Sequence, residues 1–325
     1  MEGAARPADS VHRIVFTGAT RNFFKVGHTA IHSLARRYPD VAIRLALPDV
    51  EIARDACAGA PVEFVQWDPA HPETLMAVYQ GCQATLLVAP IQGRVDVGRV
   101  QVNAMREAGV RYVCCLGIQY DDPTMVMSRE VAALDELLAA SGIRNTTLRL
   151  PMFLENLLYQ TEAIHTEGRF SFPCRPDSEV AYLTCGDLGD LCADLLVSGG
   201  RRELPTTRLT AGMTSCREIA RLLSENLGRE IRFVPITGEE HVAALADHGS
   251  LGDHAARAVL QLWEAIDDGR DMRPSGALAE ALGRAPESVT DWLAAHACCF
   301  RRDPACRHPQ PPLHPATFGV ARATG

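Results

Sequence analysis

The sequence lacks long apolar runs and an excess of positive charge. None of its 325 residues falls in an apolar stretch of about 18 or more, so we expect no membrane-spanning segment. Residues 1–11 also lack the apolar core of a signal peptide. The net charge of -8 argues against a general nucleic-acid-binding protein, because neutralising phosphates requires a basic face. We therefore expect a cytoplasmic protein that binds neither nucleic acid nor membranes.

Internal repeats, coiled-coil heptads and blocks of like charge are absent as well. The 11 cysteines are mostly scattered through apolar runs, where a reduced thiol is simply a small core residue. Three of them cluster near the C-terminus with two histidines: His296, Cys298, Cys299, Cys306 and His308. Their spacing fits no common zinc pattern, so we expect no metal site.

Apolar runs that alternate with segments of helical periodicity fill the first half of the chain. This alternation predicts an α/β fold with a doubly wound parallel sheet. The strand-like runs begin at Ile14 and then cover 42–47, 62–65, 84–88, 111–116 and 145–150.

Two glycines frame the loop after the first predicted strand. Gly18 ends the strand, where the backbone turns sharply, and Gly27 opens a helix, where a pyrophosphate can approach backbone amides. In the usual G-x-x-G-x-x-G fingerprint the glycines stand three residues apart, but here Arg21 replaces the middle glycine and residues 23–25 lengthen the loop. The stretch indicates a nucleotide-binding βαβ unit, with an ordinary strand-to-helix turn as the alternative.

The ends of two later strands supply further candidates for cofactor binding. Asp49 follows the second strand, where an acidic group can bind the adenosine ribose of NAD, whereas Arg21 and Arg54 can bind the 2′-phosphate of NADP. Ala89 and Pro90 end the fourth strand, which in this fold passes beside the nicotinamide half of the dinucleotide. The residues leave the choice between NAD and NADP open, with a slight preference for NADP.

A series of segments in order carries a family resemblance. The first are Thr17-Gly18-Ala19-Thr20, Gln66-Trp67-Asp68, and residues 128–143 and 147–158. Others follow at 184–190, 209–229 and 282–293. Together they resemble the NmrA-like family of atypical short-chain dehydrogenases/reductases, and the resemblance covers roughly residues 12–300.

The resemblance implies an N-terminal Rossmann domain over residues 12–150 that binds NAD(P). It also implies a smaller α+β substrate lobe over 151–300, interleaved with the first domain. We expect a flexible segment at 1–11 and, from its Arg, Pro and His content, a disordered tail at 301–325. The expected cofactor-binding residues are Gly18, Thr20, Arg21, Gly27, Asp49, Asp68, Ala89 and Pro90.

The usual catalytic pair of short-chain dehydrogenases is missing. These enzymes typically use a Tyr and a Lys spaced Y-x-x-x-K, and in several atypical members a lone Lys stands at the position that Val131 occupies here. Tyr120, just past the fifth strand, is the candidate proton donor or substrate anchor, and a packed loop ring is the alternative. Ser128 is expected to cap the following helix.

Residues after the sixth predicted strand are candidates for substrate contacts. Phe153, Glu155 and Asn156 lie where ligands bind in this architecture, either orienting substrate or stabilising the loop. We expect an NAD(P)H-dependent oxidoreductase that reduces a small hydrophobic or aromatic molecule, such as a quinone, carbonyl or enone, by hydride transfer. The alternatives are a dinucleotide-binding redox sensor, or a protein whose scaffold has lost the cofactor. The oligomeric state stays open.

Overall fold

The computed structural model describes residues 11–18, 26–67, 71–91, 93–247, 252–270 and 273–308. Its main sheet has six strands in the order β3-β2-β1-β4-β5-β6. The pairs of β1 with β2 and with β4 are parallel, as are those of β2 with β3 and of β4 with β5. The strands are β1 (Arg13–Gly18), β2 (Ala42–Leu47), β3 (Val62–Gln66), β4 (Ala84–Val88), β5 (Tyr112–Ile118) and β6 (Arg144–Leu150).

Helices connect these strands. They are α1 (His28–Arg37), α2 (Glu51–Arg54), α3 (Leu75–Tyr79), α4 (Arg94–Glu107) and α5 (Val126–Ser141), with a 3-10 turn at Pro72–Thr74 ahead of α3. Crossover helices cover both faces of a parallel sheet, so its strands read as continuous apolar runs. Leu45, Leu86 and Val113 are accordingly almost fully buried.

The predicted fold class is confirmed. The bounds predicted for β2 and β4 agree with the structure, whereas β5 continues to Ile118, two residues past its predicted end. β6 begins at Arg144, one residue earlier than predicted. Apolar runs thus locate the strands, and their last residues are set by pairing with neighbours.

The chain divides into two compact units. The first unit comprises Met1–Gly117, Glu130–Leu148 and Gly186–Thr207, and the second comprises Ile118–Arg129, Arg149–Cys185 and Arg208–Gly325. The chain therefore passes between the units several times.

Helix α7 (Cys185–Ser198) explains why a late segment belongs to the first unit. A Cβ placed on Gly189 would lie 2.6–2.8 Å from side-chain and backbone atoms of Thr29 in α1, so the two helices approach closely at this glycine. Ser33 donates a hydrogen bond to Asp190 at 2.6 Å, and Tyr38 donates one to Asp194 at 2.7 Å. These contacts hold α7 against α1.

The second unit combines short strands with helices. Strands β7 (Met152–Phe153), β9 (Val180–Leu183) and β10 (Gly212–Thr214) form one small sheet, and β8 (Arg169–Phe170) pairs with β11 (Arg232–Phe233). The helices of this unit are α6 (Thr161–Glu167), α8 (Cys216–Leu227), α9 (Gly238–Asp247), α10 (Asp253–Asp267), α11 (Ala277–Leu282), α12 (Val289–Ala295) and α13 (Ala297–Arg301). A 3-10 helix at Leu154–Gln160 precedes α6.

Aromatic side chains build the core of the second unit. Phe172 stacks on Trp263 with ring centroids 4.6 Å apart, and Phe170 packs edge-on against Phe172 at 6.1 Å. Both phenylalanines are buried, at 0% and 6% exposure for Phe170 and Phe172 respectively. They are therefore core residues of this unit.

The predicted tail begins too early. Residues 301–308 lie within the described part of the chain, where Arg301 ends α13 and Cys306 packs against the core of the second unit. Residues 309–325 and 1–10 lie outside the described residues. In the part of the chain that is described, no helix has both the length and the apolar character needed to cross a membrane.

The close approach at Gly189 generates a stability prediction. We expect Gly189→Ala to lower the free energy of unfolding by about 1–3 kcal/mol, because the added methyl overlaps backbone as well as side-chain atoms of Thr29. Gly98→Ala in α4 is the matched control, since its methyl meets only the side chain of Leu134. A helix gains up to about 1 kcal/mol from such a substitution, so the control should be nearly neutral. Urea unfolding of both variants tests this, and equal stabilities would contradict it.

Candidate functional site

The carboxyl end of β1 lies where the strand order of the main sheet reverses. Gly18, the last residue of β1, pairs with Val88 of β4, and Thr17 pairs with Ala46 of β2. The connections after β1 and β4 leave the sheet in opposite directions, so ligands of such sheets bind outside these strand ends.

A small apolar hollow opens beside this end of the sheet. Gly27, at the amino end of α1, has helical backbone angles of φ -59 and ψ -49. Gly27 lines the hollow directly before α1, and in this fold the helix that follows the first strand begins beside bound phosphates. The hollow is lined by Phe16, Thr17, Gly27, Leu45, Leu47, Leu86 and Val88. Gly27 lines the hollow and Gly18 follows Thr17, which also lines it, so their cofactor contacts stay predictions. Thr20, Arg21 and Asp68 lie outside the described residues.

Three buried polar side chains support the end of β1. The hydroxyls of Thr17 and Tyr79 donate hydrogen bonds to Oε1 of Gln101 at 3.2 and 3.1 Å. Burial raises the pKa of Tyr79, which keeps its hydroxyl protonated and able to donate. The sequence patterns did not predict this network, although a glutamine on the inner face of a helix indicates a buried hydrogen bond.

Asp49 has a local structural partner. Its Oδ1 accepts a hydrogen bond from the amide of Glu51 at 3.1 Å, which satisfies a donor at the start of α2. Arg54 donates to the Glu51 carboxylate at 2.8 Å, and its guanidinium lies 4.7 Å from the ring centroid of Phe64. Contacts of Asp49 or Arg54 with a cofactor stay predictions.

A buried arginine lies beyond the end of β4. Ala89 is 3% exposed, and the carbonyl of Pro90 accepts a hydrogen bond from Nε of Arg94 at 3.1 Å. Gly93 turns the chain into α4 with a left-handed φ of 71, which suits glycine. The Arg94 side chain thus brings positive charge to the residues predicted beside the nicotinamide. The sequence analysis overlooked it, although it stands only four residues after Pro90.

Glu155 is the most perturbed acidic group of the second unit. It lies in the first turn of the 3-10 helix that follows β7. Its Oε1 accepts hydrogen bonds from the amide of Cys185 at 2.8 Å and from Nε1 of Trp292 at 3.1 Å. Its Oε2 is buried and accepts no hydrogen bond from the described residues. Burial raises the pKa of Glu155 to about 7, despite these two donors.

The other predicted residues of the second unit have structural contacts. Nδ2 of Asn156 donates to Sδ of Met152 at 2.7 Å, and Phe153 is partly buried. Tyr120 is 8% exposed, and its carbonyl accepts a hydrogen bond from Ser128 at 2.9 Å. The expected capping role of Ser128 is wrong, because α5 begins two residues earlier and the hydroxyl donates to a carbonyl instead.

The structure thus brings Glu155 together with two residues that the sequence analysis did not connect to it. Cys185 is 1% exposed and begins α7, and Trp292 is 1% exposed in α12. Both residues are distant from Glu155 in sequence, so no local sequence pattern predicts these contacts.

The first unit has a larger cavity at the opposite edge of the sheet. It measures about 690 Å³ and includes Gln83, Arg111 and Ile143, which lie at or before the starts of β4, β5 and β6. Ligands of doubly wound sheets bind at the carboxyl ends of the strands, so we place the candidate site at the smaller hollow.

Comparison with known proteins supplies relatives along most of the chain. No protein-family profile matches it. The NmrA-like family domain-containing oxidoreductase flvB of Aspergillus flavus is 25% identical over 288 residues, which cover 84% of this chain and 91% of that protein. This chain is similar to NmrA-like proteins. The resemblance inferred from the sequence motifs is thereby confirmed.

Two further comparisons agree. The NAD(P)H azoreductase of Xenophilus azovorans is 24% identical over 263 residues, covering 78% of this chain and 91% of that enzyme. The NADPH-dependent quinone oxidoreductase of Escherichia coli, solved with NADPH, superposes with a TM-score of 0.70 and 21% identity. That match covers 87% of this chain and 98% of the enzyme, so the two share a fold.

The raised pKa of Glu155 generates a prediction about pH. Its pKa is about 7 in the folded chain against an ordinary 4.5, so the folded state binds more protons between these values. The free energy of unfolding should therefore fall as pH rises through this window, by on the order of 3 kcal/mol from this group. We expect Glu155→Gln to flatten that decline. Urea unfolding from pH 4.5 to 8 measures it.

The control is Glu280→Gln, which changes an exposed carboxyl on α11. This variant should keep the pH dependence of the parent chain. A parallel decline in Glu155→Gln and the parent would show that Glu155 does not titrate in this range.

Proposed function

We propose that this chain is an NAD(P)H-dependent oxidoreductase that reduces a small hydrophobic or aromatic molecule by hydride transfer. The observation that carries the proposal is the strand order β3-β2-β1-β4-β5-β6, with Gly18 and Gly27 at the reversal point beside the start of α1. Relatives named as azo and quinone reductases support a reductive activity on aromatic substrates. A quinone, carbonyl or enone fits this class.

The cofactor is NADP or NAD, and we favour NADP. A solved neighbour holds NADPH, and Arg21 stands in the glycine loop, where a guanidinium can bind a 2′-phosphate. The described residues are compatible with a dinucleotide, because Gly27 has no side chain that would keep a pyrophosphate away and Arg94 adds positive charge beyond β4. When bound, the reduced nicotinamide supplies the hydride.

Proton delivery requires a group other than the usual Tyr/Lys pair. Lys25 is the single lysine of the sequence, and Val131 is 1% exposed where related enzymes carry a lysine. We propose Tyr120, which follows β5, as the proton donor or substrate anchor. Phe153, Glu155 and Asn156 are proposed to contact substrate, with Glu155 able to carry a proton near neutral pH.

A dinucleotide-binding redox sensor is the second candidate function. The absent lysine favours it, since a sensor needs to bind the cofactor but not to turn it over. We further propose a cytoplasmic protein with a small-molecule ligand.

Calorimetric titration with NADPH, NADH and their oxidised forms tests both functions. Micromolar binding of one form, followed by substrate-dependent loss of NADPH absorbance with quinones or azo dyes, would establish a reductase. Tight binding without turnover would favour the sensor. Binding of no form would exclude both and leave a scaffold that has lost its cofactor.

The place of Gly27 generates a binding prediction. We expect Gly27→Asp to weaken NADPH binding at least about tenfold, because a carboxylate at the amino end of α1 repels a pyrophosphate and costs about 1.4 kcal/mol or more. Met76→Asp, at a 40% exposed position of α3, adds the same charge as a control. Equal affinities of the two variants for NADPH in calorimetry would contradict the proposed site.

The proposed role of Tyr120 generates a kinetic prediction. Removing only its hydroxyl in Tyr120→Phe should lower kcat about 100-fold if the hydroxyl delivers a proton, while NADPH affinity stays unchanged. Ser128→Ala is the control, because it removes a hydroxyl that donates only to the Tyr120 carbonyl. A normal kcat in Tyr120→Phe would show that the ring serves packing alone.

A further inference from the structure

Three cysteine sulfurs converge near the end of the described chain. Cys298 and Cys299 lie in α13, and Cys306 follows the helix by a short loop. Sγ of Cys306 lies 2.6 Å from Sγ of Cys298 and 3.4 Å from Sγ of Cys299. All three sulfurs lie within 4.8 Å of one another. In the described part of the chain, no other group of three or more possible metal ligands is this compact.

The backbone of the loop fixes this arrangement. Arg302 adopts a left-handed conformation, with φ 53 and ψ 42, and turns the chain back over α13. The amide of Asp303 donates to the carbonyl of Cys298 at 3.0 Å, and the amide of Cys306 donates to the carbonyl of Asp303 at 2.9 Å. Hydrogen bonds of the main chain thus hold Cys306 over its two partners.

The burial of the cluster suits a bound ion. Cys299 is 3% exposed and belongs to the core of the second unit, whereas Cys298 and Cys306 are partly exposed. One side of the cluster is therefore rigid and dry, and the other side admits an ion from solvent. Three neutral thiols form only weak interactions with one another at such distances. Three thiolates around a soft or borderline cation instead form coordination bonds to it.

The sulfur separations lie below those expected around a bound zinc ion. Zinc–sulfur bonds of about 2.3 Å at tetrahedral angles place the sulfurs roughly 3.8 Å apart. The observed contacts of 2.6 and 3.4 Å are shorter, and small side-chain rotations open them to that value. His308 follows Cys306 by two residues, with its ring centroid 4.2 Å from that of His296. Nε2 of His308 is in a hydrogen bond with the carbonyl of Ala295 at 3.1 Å, so the compact ligand group consists of the three cysteines.

The charge of the surrounding chain is favourable. Three thiolates with one divalent cation carry a charge of -1, and Arg301, Arg302 and Arg307 flank the cysteines in sequence. The Arg302 guanidinium pairs with Glu162, and Arg301 donates to the carbonyl of Asn226. These contacts anchor the end of α13 to Glu162 and Asn226.

We propose that Cys298, Cys299 and Cys306 bind one zinc ion as three thiolates, with the fourth position taken by water. Binding releases the three thiol protons to solvent. The ion would tie residues 303–308 to α13, beside Trp292 and His296, whose rings stack 4.2 Å apart. The sequence analysis expected no metal site because adjacent cysteines match no common spacing.

Cobalt substitution of the full-length protein tests the proposal. The chain is reduced with a phosphine, freed of metal by chelation and titrated with Co²⁺ without oxygen. We expect uptake of one Co²⁺ per chain with a sulfur-to-cobalt charge-transfer band, followed by its loss when one equivalent of Zn²⁺ is added. Because even outer-sphere partners contribute 10–100-fold to metal affinity, Cys306→Ser should weaken Co²⁺ binding at least about 100-fold.

Two controls make the outcome decisive. Cys57→Ala removes a buried thiol of the first unit and should leave the cobalt band unchanged. Cys299→Ser supplies a second ligand variant if Cys306→Ser does not fold. Absence of the band in the reduced chain, or an unchanged band in a folded ligand variant, overturns the proposal. A Cys298–Cys306 disulfide in a chain that takes up no Co²⁺ after reduction also overturns it, and indicates a redox pair.

Discussion

The pairing of β1 with β2 on one side and β4 on the other is the constraint on which the first unit depends. It places β1 at the centre of a sheet whose connections diverge, so the end of β1 and the start of α1 face one hollow. The buried hydrogen bonds of Thr17 and Tyr79 to Gln101 then hold this strand end in place. The position of the hollow thus follows from the pairing of the strands.

The sequence predicts this unit well because its signals are local. A strand covered on both faces must be apolar at every position, so runs such as Ala42–Leu47 and Ala84–Val88 identify themselves. Gly18 and Gly27 are equally local signals, because a glycine marks a place where the backbone turns sharply or must stay accessible. The loop between Gly18 and Gly27 departs from the usual fingerprint, and its spacing alone leaves the choice of cofactor open.

The environment of Glu155 in the second unit depends on contacts between distant residues. Glu155 and Trp292 are separated by 137 positions, and no sequence pattern around either residue predicts their hydrogen bond. The close packing of α7 against α1 requires that residue 189 has no side chain. The sequence does not distinguish Gly189 from the other glycines among its 25. The cysteine cluster is close in sequence, yet a single left-handed residue, Arg302, decides that its sulfurs meet.

The indole of Trp292 has an optical consequence. Its N–H donates to a carboxyl whose pKa lies about 7, so the charge next to the ring changes at neutral pH. Indole emission responds to nearby charge, and the chain has only two other tryptophans, Trp67 and Trp263. A chain that retains Trp292 alone would carry an intrinsic fluorescent reporter of the protonation of Glu155, readable without any added dye.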